Sequence, residues 1–260
     1  MGDGKAAGKG ARTVQAVRHL ADILRCVSKA PAPIGVNEVA RQVGLDKSSV
    51  SRLLASLEQE RFVQRGPDGR VRVGTGLLAV VAPLMRDLGL STRMRPSLEA
   101  LAKRIGETVN LSIWGDGEAV SVVQALGSNA VTHFATPGRT NPPHCTASGK
   151  VLLAFGPTDA AERVLAGPLA RHTESTVTDP AALRRELEAV RSRGFAVNEG
   201  EFEADVSAVS APVFDLDASV LGALTVTVPA YRFDERRRDE LIAAIVAAAK
   251  DLSEQFGYRL

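Results

Sequence analysis

Residues 36–65 have the sequence VNEVARQVGLDKSSVSRLLASLEQERFVQR. Apolar residues recur in this stretch at the spacing i, i+3, i+4, i+7, which predicts two short amphipathic helices. Only Gly44, Leu45 and Asp46 separate the two helices. Glycine adopts the positive φ at which a helix often ends, and an aspartate caps the next helix by accepting a hydrogen bond from its free backbone N–H groups. The stretch therefore predicts a helix-turn-helix.

A further helix precedes this unit, and a β-hairpin follows it. The preceding segment has the same helical spacing, at Val17, Leu20, Ala21 and Leu24. After the unit, apolar and basic residues alternate on both sides of Asp68-Gly69, a dipeptide typical of tight hairpin turns. Three helices and a basic hairpin predict a winged helix-turn-helix domain over residues 12–74. Residues 1–11 are predicted to form a disordered tail.

Charge is distributed unevenly along the chain. Residues 1–75 hold 13 Lys and Arg against 7 Asp and Glu, a net charge of +6, and residues 76–260 hold 19 against 23, a net charge of −4. A basic winged helix favours double-stranded DNA as its partner over the alternative, a protein-interaction module with a solvated polar face.

The polar side of the third helix is predicted to enter the major groove of DNA, because its apolar side must face the core. Arg52 can donate two hydrogen bonds to a guanine edge, while the serines and the helix N-terminus can hold phosphates. Basic residues of the wing would reach the flanking backbone or the minor groove. The predicted DNA-binding residues are Arg12, Lys47, Ser48, Ser49, Ser51, Arg52, Arg70 and Arg72.

The rest of the chain predicts a connecting helix over residues 75–90 and a second domain over residues 91–260. The connecting helix has apolar residues on one side, at Leu77, Val80, Val81, Leu84 and Leu88. In the second domain, apolar segments joined by short turns predict two strand pairs, Val109–Trp114 with Ala119–Ala125 and Ser207–Phe214 with Val220–Val228. Helical segments lie around these pairs. The predicted fold is therefore mixed α/β with two domains, the second an α+β domain with an antiparallel sheet flanked by helices.

Composition excludes several classes of protein. Apolar residues make up 45% of the chain and charged residues 24%, ordinary values for a soluble globular protein. The longest apolar stretch, Leu241–Ala249, has nine residues, whereas a membrane-spanning helix needs about 20, so no membrane partner is predicted. The first dozen residues lack the apolar core of a secretory signal, and the cytoplasm is the expected compartment. With only Cys26 and Cys145, a disulfide scaffold is excluded.

Each candidate catalytic or metal-binding motif in the sequence is incomplete. Ser148-Gly149-Lys150 lacks the glycine and the hydroxyl residue of a phosphate-binding loop. His144 and Cys145 are neighbours, yet no third group that would orient a nucleophile pair can be identified. A zinc site on His133, His144, Cys145 and Glu199 shows no ligand-pair spacing. We predict no catalytic residue, no metal and no cofactor, and leave open whether His144 and Cys145 bind a metal.

Two features favour a small-molecule sensor instead. Thr225 and Thr227 alternate with aliphatic residues, so both hydroxyl groups point to one face of a strand. The turn-rich segment of residues 136–143 leads directly into Thr146 at a helix start, where exposed N–H groups can bind a carboxylate. A polar strand face beside such a start is typical of a ligand site.

The sequence resembles the IclR-type transcriptional regulators of bacteria over nearly its full length. Residues 13–73 resemble the winged helix of that family. Farther along, Pro142–Ala154 resembles its loop-to-helix segment and Gly194–Glu203 its acidic segment. Either later motif alone is a weak signal, but their order and their separation from a winged helix make the resemblance specific.

The resemblance implies a GAF-like effector-binding and oligomerisation domain that takes a small metabolite, often carboxylated or aromatic, as its effector. The effector residues implied by the resemblance or by the helix start are Thr146, Ala147, Ser148, Asn198, Glu199, Ala208, Thr225 and Thr227. Asn198 replaces an acidic residue of relatives, and Ala208 stands where some carry cysteine, so no relative's ligand carries over. Symmetric operators predict a homodimer or homotetramer, and the resemblance favours a dimer of dimers.

The predicted function is a ligand-responsive transcriptional regulator that binds operator DNA and a small metabolite. Two alternatives stay open: an architectural DNA binder without ligand response, and an enzyme fused to a DNA-binding domain. The sequence does not specify the metabolite, the operator or the sign of regulation, because an activator and a repressor can share all of these residues.

Overall fold

The computed structural model describes residues 15–81, 90–115, 117–129 and 137–258. The chain divides into two compact units, Met1–Leu88 and Gly89–Leu260. The predicted tail of residues 1–11 lies outside the described residues, as do residues 82–89 of the predicted connecting helix. Residues 76–81, at the start of that helix, are helical.

The N-terminal unit is a winged helix-turn-helix. Its elements are α1 (Gln15–Lys29), α2 (Val36–Val43), α3 (Lys47–Gln59), β1 (Val63–Arg65) and β2 (Val71–Val73). Gly44 ends α2 with a φ of 67°, the left-handed conformation that favours glycine. Asp46 caps α3, since its carboxylate accepts a hydrogen bond from the Ser49 N–H at 2.9 Å. The two strands pair antiparallel, which confirms the predicted wing.

The core of this unit differs from the prediction at α1. Val17, placed on the apolar stripe, is 61% exposed, whereas Ile23 and Val27 are buried. Leu20 and Leu24 pack against the same core and are partly buried. Residues 20, 23, 24 and 27 satisfy the same helical spacing one turn later, so periodicity alone did not distinguish the two stripes. The buried face of α1 is therefore centred on its second half.

The C-terminal unit is built on an antiparallel sheet. In the described part of the chain it has six strands in the order β5-β4-β3-β8-β7-β6. The strands are β3 (Thr108–Gly115), β4 (Glu118–Ala125), β5 (Thr140–Asn141), β6 (Ala196–Glu199), β7 (Val206–Phe214) and β8 (Val220–Pro229). The helices are α4 (Leu90–Ile105), α5 (Ala147–Phe155), α6 (Thr158–Ala166), α7 (Pro180–Arg193) and α8 (Glu235–Gln255). Both predicted strand pairs are confirmed, whereas β5, β6 and α6 were not predicted.

Helices cover both faces of this sheet. On one face α4 and α8 pack against the strands and against each other, and aliphatic side chains such as Val209, Leu224 and Val226 are buried there. On the other face α5 packs on the strands, and α6 and α7 pack on α5. This second face carries the polar side chains that border the cavity described below. No helix in the described ranges is long and apolar enough to cross a membrane.

Candidate functional site

Helix α3 exposes polar side chains on the side away from the core. Val50, Leu54 and Leu57 are buried, which turns Lys47, Ser51 and Arg52 toward solvent. Ser48 is also exposed, whereas Ser49 is half-buried. Nη2 of Arg52 lies 3.4 Å from Oγ of Ser49, to which it donates a long hydrogen bond.

The N-terminus of α3 is capped by the side chain of Asp46. Ser48 donates its hydroxyl to the Asp46 carboxylate at 2.5 Å, and Ser49 donates its N–H to the same oxygen. These hydrogen bonds hold the pKa of Asp46 well below its usual range. The Ser48 hydroxyl and the Ser49 N–H are therefore engaged by this cap in the described structure. A phosphate contact at this helix N-terminus stays a prediction.

The two arginines of the wing, Arg70 and Arg72, both form hydrogen bonds within the N-terminal unit. Arg72 donates from Nε and Nη2 to Oε1 of Gln64 at 3.2 and 3.0 Å, its direct cross-strand partner. Arg70 pairs with Asp68 at 3.6 Å and donates to the Pro33 carbonyl at 3.4 Å. Both side chains are exposed. Arg12, the remaining predicted DNA-binding residue, lies outside the described residues.

A cavity lies between the start of α5 and the polar face of the sheet. Its volume is about 510 Å³, part of it open to solvent. It is lined by Asn110, Arg139, Asn141, Thr146, Ala147, Ser148, Asn198, Phe202, Glu203, Val206, Ala208, Thr225 and Thr227. Seven of the eight predicted effector residues are among these, so the structure brings together residues from α5, β6, β7 and β8.

Helix α5 points its N-terminus at this cavity. Thr146 caps the helix by accepting from the Gly149 N–H at 3.2 Å and donates to the Pro142 carbonyl at 2.8 Å. A Cβ at Gly149 would lie 2.3 Å from Cα of Pro143, so only glycine permits the loop to pack this closely on the helix. The N–H groups of the first helical residues have no acceptor within the helix. Ala147 and Ser148, which border the cavity, therefore present donors to it.

Cross-strand register places the polar side chains of the sheet side by side. Asn198 lies opposite Ala208, which lies opposite Thr227. In the neighbouring row Thr225 lies between Ser210 and Asn110. Directly opposed residues share one face of a sheet, so both rows face α5. The alternation of Thr225 and Thr227 with aliphatic residues indicated this face correctly.

Asn110 is a cavity residue that sequence reasoning missed. It is buried, with its Nδ2 donating to Oγ of Ser112 at 3.2 Å. Its Oδ1 is buried and has no hydrogen-bond partner among the described residues. A buried acceptor without a donor costs free energy, and a ligand donor would relieve that cost. Its position opposite Thr225 follows from β3–β8 pairing, which the sequence did not specify.

The mouth of the cavity combines an ion pair with an aromatic ring. Arg139 and Glu203 form an ion pair at 2.5 Å, with each side chain about one-third exposed. The Arg139 guanidinium carbon also lies 6.0 Å from the centre of the Phe202 ring. The sequence did not indicate these three residues, because the loop and the segment after β6 meet only in the folded chain.

Glu199 is the predicted effector residue that lies outside the cavity. It follows Asn198 on β6, so its side chain points to the opposite face of the sheet. There it lies 3.8 Å from Nη1 of Arg238 on α8, and its side chain is 59% exposed. The expectation that Glu199 lines the effector cavity is therefore wrong, and the period-2 alternation with Asn198 is the reason.

The His144–Cys145 pair does not form an activated nucleophile. Burial raises the pKa of the Cys145 thiol to about 12, with the Glu201 carboxylate as the second cause. Burial also lowers the pKa of His144, whose Nε2 lies 2.9 Å from the Ala170 carbonyl oxygen. Lys150 and Glu201 form a buried ion pair nearby at 2.5 Å. His133 lies outside the described residues.

Comparison with known proteins identifies the family. The IclR helix-turn-helix domain matches residues 16–67, and the bacterial transcriptional regulator IclR C-terminal domain matches residues 83–254. The chain belongs to the IclR family of bacterial transcriptional regulators. The two-domain fold predicted from the sequence is thereby confirmed, and regulators rather than enzymes are the relatives found.

Individual relatives match this IclR-family chain over nearly its whole length. The HTH-type transcriptional regulator Rv1719 of Mycobacterium tuberculosis is 35% identical over 90% of this chain and 89% of its own. The solved structure of the Thermotoga maritima IclR is 28% identical, with a TM-score of 0.75, covering 94% of this chain and 99% of that one. An IclR homologue from Microbacterium hydrocarbonoxydans, solved in complex with 4-hydroxybenzoate, is 26% identical, with a TM-score of 0.74, covering 92% and 99%.

Proposed function

We propose that this IclR-family regulator binds operator DNA through α3 and the wing, and that a small carboxylated or aromatic metabolite binds in the C-terminal cavity and changes its affinity for DNA. The observation that carries the proposal is the cavity itself. Residues from six elements, α5 and the strands β3, β5, β6, β7 and β8, converge on it. It combines helix N–H donors with apolar and polar side chains, the usual composition of a ligand site.

The exposed face of α3 supports the DNA-binding part. Lys47, Ser51 and Arg52 project from a helix whose opposite side is buried, and the major groove of DNA admits one α-helix. Arg52 is the residue proposed to recognise a base, because arginine can donate two hydrogen bonds to a guanine edge. Arg70 and Arg72 of the wing would contact the flanking phosphates, which positions the domain without selecting a sequence.

The cavity chemistry supports a carboxylated ligand. The N–H groups of Ala147 and Ser148 at the start of α5 favour an anion, since the helix dipole adds partial positive charge there. Phe202, Val206 and Ala208 supply apolar surface on the remaining wall. The relative from Microbacterium hydrocarbonoxydans holds 4-hydroxybenzoate, which combines a carboxylate with an aromatic ring. We propose a ligand of that class for this chain, with its carboxylate at α5.

Regulation requires that the ligand bind the DNA-competent and the DNA-incompetent state with different affinities. A ligand with equal affinity for both states does not shift the equilibrium between them. The predicted connecting helix, of which residues 76–81 are helical in the described part of the chain, is the proposed moving element. We further propose a homodimer or homotetramer, since a palindromic operator presents two half-sites about one helical turn apart. A regulator of the bacterial chromosome is expected in the cytoplasm.

The decisive experiment is capture and sequencing of the genomic fragments that the purified chain binds at physiological salt. We expect one palindromic site to be enriched, the enrichment to be lost in Arg52→Ala, and an added benzoate-class carboxylate to change it. Arg163→Ala is the matched control, since that arginine is exposed on α6 in the C-terminal unit.

Two outcomes would contradict the proposal. Uniform recovery of fragments at any ligand concentration would indicate the architectural alternative, whose binding depends on salt and not on sequence. Turnover of a small carboxylate that is abolished by Cys145→Ala would indicate the enzymatic alternative.

A further inference from the structure

Two histidines and a cysteine converge beside the cavity. His144 and Cys145 directly precede the Thr146 cap of α5, and His172 lies in the loop between α6 and α7. One ligand atom from each of the three lies within 4.8 Å of the other two. His144 and Cys145 are buried, whereas His172 is exposed. The sequence indicated His144 and Cys145 as possible metal ligands but not His172, which is brought to the adjacent pair only by folding.

The hydrogen bonding of His144 suits a metal ligand. Its Nε2 lies 2.9 Å from the carbonyl oxygen of Ala170. A carbonyl oxygen only accepts, so Nε2 carries the proton and Nδ1 keeps its lone pair. Histidines that bind metals usually donate their other ring N–H to a carbonyl or carboxylate in this way, which fixes the orientation of the ring.

We propose that His144, Cys145 and His172 form a binding site for a thiophilic divalent cation, with Zn²⁺ as the best chemical fit. Thiolate and imidazole are ligands that Zn²⁺ prefers, whereas Mg²⁺ and Ca²⁺ take oxygen ligands. The cation binds the Cys145 thiolate, and the thiol proton passes to solvent. Three protein ligands leave a fourth tetrahedral position for water or a ligand oxygen.

The required adjustment of the cluster is small. Zn²⁺ distances of about 2.3 Å to sulfur and about 2.0 Å to nitrogen place tetrahedral ligand atoms roughly 3.3–3.6 Å apart. The three ligand atoms, now within 4.8 Å of one another, therefore need to approach by up to about 1.5 Å. His172 is exposed on a loop, so its side chain can make that movement while the buried pair keeps its place.

The cation site is joined to the effector cavity by two contacts. Asn198, a cavity residue, donates to the carbonyl oxygen of Cys145 at 2.6 Å. Phe202, another cavity residue, packs edge-on against the His172 ring, with ring centres 4.9 Å apart. A bound cation would therefore fix both the start of α5 and the aromatic side of the cavity, and it supports the ligand site without lying in it.

The test is metal titration of the full chain after dialysis against a chelator. We expect one Zn²⁺ per chain, and one Co²⁺ per chain with the near-ultraviolet thiolate-to-cobalt charge-transfer absorption of a cysteine ligand. Cys145→Ser should abolish that absorption. His172→Ala should weaken Zn²⁺ binding by about tenfold or more, because loss of a supporting ligand contact already costs about 10–100-fold.

Matched variants distinguish this site from incidental binding. Cys26→Ser and His19→Ala remove the same residue types from the N-terminal unit and should leave Zn²⁺ binding unchanged. Cys145 is buried, and its replacement can disturb folding. The deciding variant for the cation site is therefore His172→Ala, which changes an exposed position. Circular dichroism shows whether that variant is folded. Wild-type Zn²⁺ affinity in His172→Ala, or a Co²⁺ complex without the thiolate band, would overturn the proposal.

Discussion

Asn198 on β6 donates from Nδ2 to the carbonyl oxygen of Cys145 at 2.6 Å, and its Oδ1 accepts from the Glu201 N–H at 3.0 Å. One side chain therefore ties the loop before α5 to β6 and to the turn that follows it. Both ends of the amide are engaged, so Asn198 borders the cavity chiefly as a positioning residue. The ligand-facing donors of α5 depend on it, because Cys145 lies directly before the helix cap.

Asn198→Ala should lower the free energy of unfolding by about 1–3 kcal/mol and weaken metabolite binding. The change leaves the buried Cys145 carbonyl and the Glu201 N–H without their partner, and unpaired buried groups carry that order of cost. Urea unfolding followed by circular dichroism measures the effect. Glu199→Ala, next on the same strand but facing away from the cavity, is the control and should be near neutral. Equal stability of the two variants would disprove the positioning role.

Thr227→Val should blunt the response to ligand while sparing DNA binding. Thr227 is buried in the cavity wall opposite Ala208, and valine keeps its shape but removes the hydroxyl. If that hydroxyl binds the ligand, its loss should cost about 0.5–1.5 kcal/mol of ligand affinity, the net value of one neutral hydrogen bond. Calorimetry with a benzoate-class carboxylate measures it. Unchanged ligand affinity would remove Thr227 from the binding residues.

Periodicity in the sequence predicted the parts of the site that lie within single elements. The two-residue period placed Thr225 and Thr227 on one face, and Thr146 before an apolar helical run indicated the N-terminus of α5. The same period, applied to β6, would have excluded Glu199 once Asn198 was assigned to the cavity. Local rules of this kind need no knowledge of the partner elements.

Tertiary contacts determine the remaining parts of the site. Asn110 borders the cavity because β3 pairs with β8 across more than 100 residues of chain, and Arg139 meets Glu203 through two separate loops. His172 reaches His144 and Cys145 in the same way. No periodicity or spacing encodes such pairings, since they depend on strand order and loop packing.

Arg52→Ala should cost about 1–3 kcal/mol of affinity for the specific operator and relax the sequence preference at one base pair. The Arg52 side chain is exposed on α3, and its one hydrogen bond among the described residues is a long one, to Oγ of Ser49 at 3.4 Å. Its replacement should therefore leave folding unaffected. Fluorescence anisotropy with the captured operator and with random DNA, at one salt concentration, separates the two effects. Equal loss on both DNAs would show that Arg52 contacts phosphate.

Asp46→Asn should remove a specific acid sensitivity of the winged helix. Hydrogen bonds from Ser48 and Ser49 lower the pKa of Asp46 in the folded chain, so the folded state binds its proton more weakly than the unfolded state does. The stabilisation is then fully present above the ordinary carboxyl pKa of about 3.9 and is lost as the pH falls below it. Asparagine still caps the helix but carries no charge. Unfolding of both proteins between pH 6 and about pH 2 should show the wild type losing more stability than Asp46→Asn, and parallel pH profiles would show that this carboxylate is not coupled to folding.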